Sequence, residues 1–175
     1  MNSSERIAVE RYANAYDRLS TSGEQARSRA EQLLVAAESL AVASHFMASP
    51  KVSVAQKKEL VLTALGAYPT AAKFIVVLLE AQRYILLNAV AQLVCALADE
   101  RLGIKPAVIY SAKELTLRQQ TETKQALALR YGSKIKAVFK TEKDLLGGLK
   151  IVCDGELIDG SLQGRLAKLE QEISR

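Results

Sequence analysis

The sequence predicts a mainly α protein, with an N-terminal five- or six-helix bundle over residues 1–104 and a small α/β domain over 105–175. Three observations lead there. Apolar residues recur at three- and four-residue spacing almost throughout the stretch before Lys105-Pro106, the signature of helices with one buried face. After Pro106 the period shortens toward two, as strands require. Near the end Asp154-Gly155 separates two short apolar runs, and both positions of such a two-residue loop favour φ > 0, which marks a hairpin.

The elements follow in order. Ala8, Tyr12, Ala15, Tyr16 and Leu19 line one face of a first helix, which Ser20-Thr21-Ser22-Gly23 ends. A longer helix turns Ala26, Ala30, Leu33, Leu34, Ala37, Leu40 and Ala41 inward and frays before Ser49-Pro50. Ser53 with Gln56 matches the capping box, so a short helix runs from there toward Gly66. After Tyr68-Pro69, Thr70 is the expected cap of a helix carrying Phe74, Ile75, Leu78 and Leu79. Asn88 is the expected start of the next, which ends at Gly103 with Arg101 in its last turn, where a cation suits the helix dipole.

In the second domain, Ala107–Ala112 reads as a strand bounded by proline. Thr116 with Gln119 is a second capping box, opening a helix that closes at Tyr131-Gly132. Lys134 to Lys140 alternates as a half-buried strand does. Gly147-Gly148 opens the first hairpin strand, and Asp159 or Ser161 caps a final helix with Leu162, Leu166, Leu169 and Ile173 on one face.

Composition narrows the function. Hydrophobic residues make up 49% and charged ones 25%, which supports a packed core and excludes a disordered chain. The longest uncharged run, Tyr84 to Ala98, is too short to cross a bilayer. The N-terminal stretch, with Glu5, Arg6, Glu10 and Arg11, has no apolar signal core, so the protein is expected to stay in the compartment where it is made. Cys95 and Cys153 then read as small buried hydrophobes rather than a disulfide.

Catalysis finds no foothold. His45, beside Phe46, has no second histidine or cysteine at ligand spacing and reads as a helix-end packing residue. Asp99 and Glu100 are adjacent and so point in different directions on a helix. No phosphate-cradling glycine loop followed by Lys-Ser/Thr is present. The expectation is a non-enzyme without cofactor or metal. The formal net charge of +5 falls mostly on residues 105–175, with 13 Lys and Arg against 9 Asp and Glu, while residues 1–104 carry 11 against 10. A small basic nucleic-acid-binding protein is the alternative reading, although neither stacking aromatics nor a recognition helix accompanies the charge.

The order Leu145-Leu146-Gly147-Gly148-Leu149, then Ile158-Asp159-Gly160-Ser161 and Gly164-Arg165-Leu166 resembles the C-terminal signature of the δ subunits of bacterial F-type ATP synthases. The mitochondrial oligomycin-sensitivity-conferring protein belongs to the same family. The family usually reads Gly-Asp in the hairpin turn, where this chain has Asp154-Gly155, and proline is common where Lys143 stands. Arg11-Tyr12-Ala13 with Ala15-Tyr16 is similar to the family's first-helix motif, Ser49-Pro50 with Lys57 to its turn and third helix, and Lys73-Phe74-Ile75 with Leu78-Leu79-Glu80 and Arg83 to its fifth helix.

The resemblance implies a non-catalytic stator subunit, peripheral on the cytoplasmic face of the cell membrane, that ties the catalytic α/β head to the b subunits so that ion-driven rotation is coupled to ATP synthesis. It implies that the bundle grips the amphipathic N-terminal helix of an α subunit between the first and fifth helices, where Tyr12, Ala15, Tyr16, Phe74, Leu78 and Arg83 fall on the matching motifs. The b subunits are expected at the C-terminal domain, on the basic and apolar surface around Lys140, Lys143, Leu145 and Leu162.

Overall fold

A computed structural model describes residues 2–49 and 51–166. It is mainly helical with one four-stranded sheet, and the chain divides into two compact units that meet at Leu102 and Gly103.

In the first unit, α1 (Ser3–Asp17) and α2 (Gly23–Ala41) are followed by a short α3 (Ser44–Ala48), α4 (Val54–Ala64) and α5 (Pro69–Glu80), then a 3₁₀ turn (Tyr84–Leu86) leading into α6 (Leu87–Arg101). Helix α6 packs against both α1 and α2, while α5 packs against α2 and α4. The seams are lined by small side chains: Ala8 and Ala13 of α1, Ala26, Ala30, Ala36 and Ala37 of α2, and Ala91 and Ala98 of α6 are all buried. Such residues let helix axes come together at the short end of the usual 8–10 Å range.

Local chemistry explains most boundaries. Ser22 accepts from Gln25 N at 3.2 Å and starts α2. Ser53 and Gln56 form the reciprocal capping box of α4, at 3.3 and 3.1 Å. Two starts differ from expectation. Tyr68 caps α5 and Pro69 takes its first position, where a missing N–H costs nothing, so Thr70 lies inside the helix. The 3₁₀ turn delivers the chain into α6 at Leu87, leaving Asn88 in the first turn without a capping role. Helix α3 was not anticipated. Within it His45 is exposed rather than packed, and on α2 the inward position belongs to Ala36 while Ala41 faces solvent.

The second unit holds β1 (Ile104–Ser111), α7 (Leu117–Tyr131), β2 (Lys134–Thr141), β3 (Leu149–Cys153) and β4 (Glu156–Asp159). The sheet order is β2-β1-β3-β4. Strands β1 and β2 are parallel, joined through α7, and the other two pairings are antiparallel. The first strand begins earlier than its proline suggested. Pairing with β3 starts only at Ala107, so the missing N–H of Pro106 falls opposite the hairpin turn, where Asp154 N still donates to the Pro106 carbonyl at 3.4 Å. Ala107, Ile109, Leu127 and Cys153 form the core between the sheet and α7.

The expected hairpin is present, with Asp154 at φ 51° and Gly155 at φ 80°. Ser161 caps the helical segment that begins at 162, its Oγ accepting from Gly164 N at 3.0 Å, while the Asp159 carboxylate accepts from Ser161 N at 2.9 Å. Leu169 and Ile173 of that expected helix lie outside the described residues. The glycine pair also has a physical reason. Gly148 sits at φ +83°, and a Cβ there would stand 2.4 Å from the Gly160 carbonyl oxygen. The Gly-Gly and Asp-Gly-Ser motifs are therefore two sides of one backbone contact.

Gly148→Ala is expected to destabilise this unit by about 2–3 kcal/mol through strain and collision. Gly155→Ala, which meets open space, should cost only about 1 kcal/mol. Hydrogen exchange of the β1 and β3 amides measures both, and equal effects would refute the contact argument.

Candidate partner-binding site

Helices α1 and α5 meet through rings rather than backbones. Phe74 lies 4.7 Å from Tyr16 and 6.3 Å from Tyr12, centroid to centroid, the second pair edge-on at 76°. The Arg83 guanidinium stands 5.8 Å over the Tyr12 ring, a cation–π distance. Tyr12 thus meets both Phe74 and Arg83, while Tyr16 meets Phe74.

Arg83 reaches Tyr12 because α5 ends in a tight reversal. Gln82 adopts φ 56°, its N–H donates to the Leu79 carbonyl, and Arg83 N–H donates to that of Leu78. This is the paired bonding of a Schellman turn, with glutamine where glycine is commonest. Sequence inspection missed it for that reason.

The six residues assigned from motifs separate by depth. Tyr16, 1% exposed, and Leu78 are buried, so they support the seam from beneath. Tyr12 and Phe74 are half-buried and form a floor, while Ala15 and Arg83 are exposed. Two stripes flank that floor. Along α1 and the turn after it, Ala8, Tyr12, Ala15 and Leu19 follow i, i+4, i+7, i+11, Ala8 being buried and Leu19 53% exposed; along α5 and its C-cap, Thr70, Phe74, Val77 and Ala81 repeat the spacing, with Val77 49% exposed. Val77 and Ala81 were missed, although the eleven-residue spacing was there to find them. Arg11, Arg18 and Lys73 are exposed along the same edges, next to the stripes.

Burial pushes the Tyr16 phenol up to about 12, against a weaker opposing effect of Arg29, and its hydroxyl donates to the Arg29 carbonyl at 3.4 Å. It is a neutral prop at any physiological pH.

In the second unit Lys140 is exposed on β2 and Lys143 is exposed in the following turn. Leu145, expected on the partner surface, is buried at 9% exposure. Leu162 lies half exposed over Gly147, its N–H donating to the Gly147 carbonyl at 3.0 Å. Among the described residues no cluster of His, Cys, Asp or Glu is arranged to hold a metal, and no helix is long and apolar enough to cross a membrane.

The family model for the ATP synthase delta (OSCP) subunit matches residues 8–173. The chain belongs to that family. It is similar to ATP synthase subunit delta of Anoxybacillus flavithermus, 31% identical over 128 residues and 72% of each chain. The protein of the same name in Bacillus thuringiensis is 29% identical over 132 residues, covering 74% of this chain and 73% of the relative. A chain in the cryo-EM structure of the Toxoplasma gondii mitochondrial ATP synthase hexamer shares the fold, with TM-score 0.63, 23% identity, and coverage of 95% of this chain and 97% of that one. As a family member the protein is a non-catalytic, peripheral-stalk subunit of an F-type ATP synthase, a peripheral component of a membrane-bound complex.

The raised phenol predicts an alkaline weakness. The folded value lies above the ordinary one, so its contribution is complete below pH about 10 and is lost as pH rises through about 12. Urea unfolding across that window should show falling stability, and Tyr16→Phe should flatten part of the fall. An unchanged slope in the variant would mean that Tyr16 is not the group titrating.

Proposed function

We propose that the α1/α5 groove is the seat of the amphipathic N-terminal helix of an α subunit, and that the 105–175 domain is held by the b subunits on the cytoplasmic side of the membrane. The bundle, on this reading, is one domain and the α/β unit another, each with its own attachment. The single observation that carries the groove assignment is the pair of exposed apolar stripes, Ala15 and Leu19 against Val77 and Ala81, on either side of the Tyr12–Phe74 floor.

An amphipathic helix presents anchors at i, i+3, i+4 and i+7, and two walls with the same periodicity match it. Ala15 has the smallest side chain that still carries the stripe, so the incoming backbone approaches closely there. The cations Arg11, Arg18, Lys73 and Arg83 beside the walls suit a ligand with acidic flanks and raise its association rate.

The mechanical role follows. A stalk that must keep the catalytic head from turning with the shaft needs resistance to lateral pull, and side chains seated in a groove give it. Two attachments on one chain raise the local concentration of each partner at its site.

Ala15→Trp fills the groove from an exposed position and should leave thermal unfolding within a few degrees of the parent. Calorimetry with a peptide copying the organism's own α-subunit N-terminus should show saturable one-to-one binding to the full chain and about 100-fold weaker binding to the variant, the effect of losing a central interface contact. Equal affinities would remove Ala15 from the site, and no binding to either chain would remove the groove.

A further inference from the structure

The two ends of β1 are held unequally. At its far end Ser111 pairs with Thr141 of β2 on one side and with Leu149 of β3 on the other. At its start, where the chain enters the second unit from Gly103, residues 104–106 pair with β2 alone, because pairing with β3 begins at Ala107. Pro106 has no N–H to add there. A strand bonded on one side at its first residues is where a sheet begins to peel, since its hydrogen bonds are met one at a time.

Side chains close that gap. Lys105 Nζ lies 2.7 Å from Oδ2 of Asp154 in the hairpin turn and 5.2 Å over the Tyr131 ring at the end of α7. The Tyr131 hydroxyl donates to Glu156 Oε2 at 2.6 Å. Arg130 Nη2 donates to Oε1 of the same carboxylate at 3.1 Å, and its guanidinium stands 5.8 Å over the same ring. Contacts therefore run without a break from β1 to the hairpin turn, from β1 to α7, and from α7 to the first residue of β4. The bond to Glu156, ahead of desolvation, pushes the Tyr131 phenol up to about 12, so the hydroxyl remains a donor at physiological pH. One exposed ion pair adds little, but charges joined in a network add more.

We infer that this cluster is a clasp: it ties the start of β1 to the hairpin and to α7, so that tension arriving along the chain is shared by three elements instead of peeling the entry strand. A subunit of a peripheral stalk carries such tension whichever partner holds either unit. Position distinguishes the clasp from a merely solvated set of charges. Lys105 lies two residues past Gly103, on the stretch that the β3 ladder leaves open, and its ammonium is the group that both the hairpin turn and α7 meet.

The test compares the full chain with the double variant Asp154→Asn, Glu156→Gln, in which asparagine still tolerates the left-handed turn position. Hydrogen exchange of the Ile104 and Lys105 amides is read against that of Val108 and Ile109, beside urea unfolding of both chains. The variant should exchange about tenfold faster at the start of the strand, a local opening that leaves Val108, Ile109 and the urea midpoint close to the parent. High salt should bring the parent's rate at those two amides toward the variant's, because screening weakens exposed pairs. Pulled between its N-terminus and a handle at the exposed Lys143, the variant's α/β unit should rupture at lower force than the parent's, with the bundle's rupture force unchanged as an internal control. Unchanged exchange at Ile104 and Lys105 would overturn the clasp. Equal acceleration along all of β1 with a lower urea midpoint would overturn it as well, by making the cluster a prop of the whole unit. Equal rupture forces would overturn the sharing of load.

Discussion

The bundle depends on an unequal choice of side chains at its helix seams. Where α6 meets α1 and α2 the buried residues are largely alanine, and the axes come close. Where α1 faces α5 the filler is aromatic: Tyr12, Tyr16 and Phe74 hold the two helices apart at ring distance. On the proposed reading, the groove for a partner helix is set by this difference between the ring-filled seam and the alanine-lined ones. Replacing the rings by alanine would remove the floor and leave a void whose lining forfeits its contacts. The buried, neutral Tyr16 therefore shapes this seam as much as the half-buried Tyr12 does.

Charge fixes the other end of the bundle. Arg101 of α6 pairs with the buried Asp17 of α1, and Arg27 of α2 pairs with the buried Asp99 of α6. Arg101 also donates to the Ser20 carbonyl and Arg29 to that of Leu19, so the connection between α1 and α2 finds its acceptors satisfied by side chains. Pairs of this kind add little net stability, because desolvating the carboxylates offsets most of the attraction. Losing one partner, however, strands a buried charge. Their effect is to specify which helix ends meet, joining α6 to α1 and α2 to α6.

Much of this was legible from residue types. The capping boxes at Ser53 and Thr116, the αL position of Gly132 and the Asp154-Gly155 turn obey short-range rules, and each is found where those rules put it. The misses have a common cause in competition between neighbouring signals. Thr70 is a good cap, yet Pro69 before it is a better first helical residue. Asn88 is also a good cap, but the 3₁₀ turn from Tyr84 reaches helical geometry first. At Gln82 a left-handed residue without glycine gives no signal at all. Motif resemblance picked out α1 and α5 but not the depth of each residue. Tyr12 and Tyr16 have the same type and lie one turn apart, and only packing makes one a floor and the other a prop.

The lysines of β2 show how one pattern yields two meanings at two levels. Read along the chain, Lys134, Lys136 and Lys140 alternate with apolar residues and say only that one face of a strand is wet. On an edge strand, lysine also has a protective meaning, since charge discourages pairing with a stray strand. Both readings are local and neither explains Val138, an apolar residue on the wet face between two of those lysines. Pairing explains it. The parallel ladder sets Val138 beside Val108, and the antiparallel ladders carry the row on to Val152 and Leu157. Edge protection alone would place a polar residue there, as at the positions on either side. Val138 is therefore placed by the sheet, not by its own strand: it opens an apolar row that runs across all four strands.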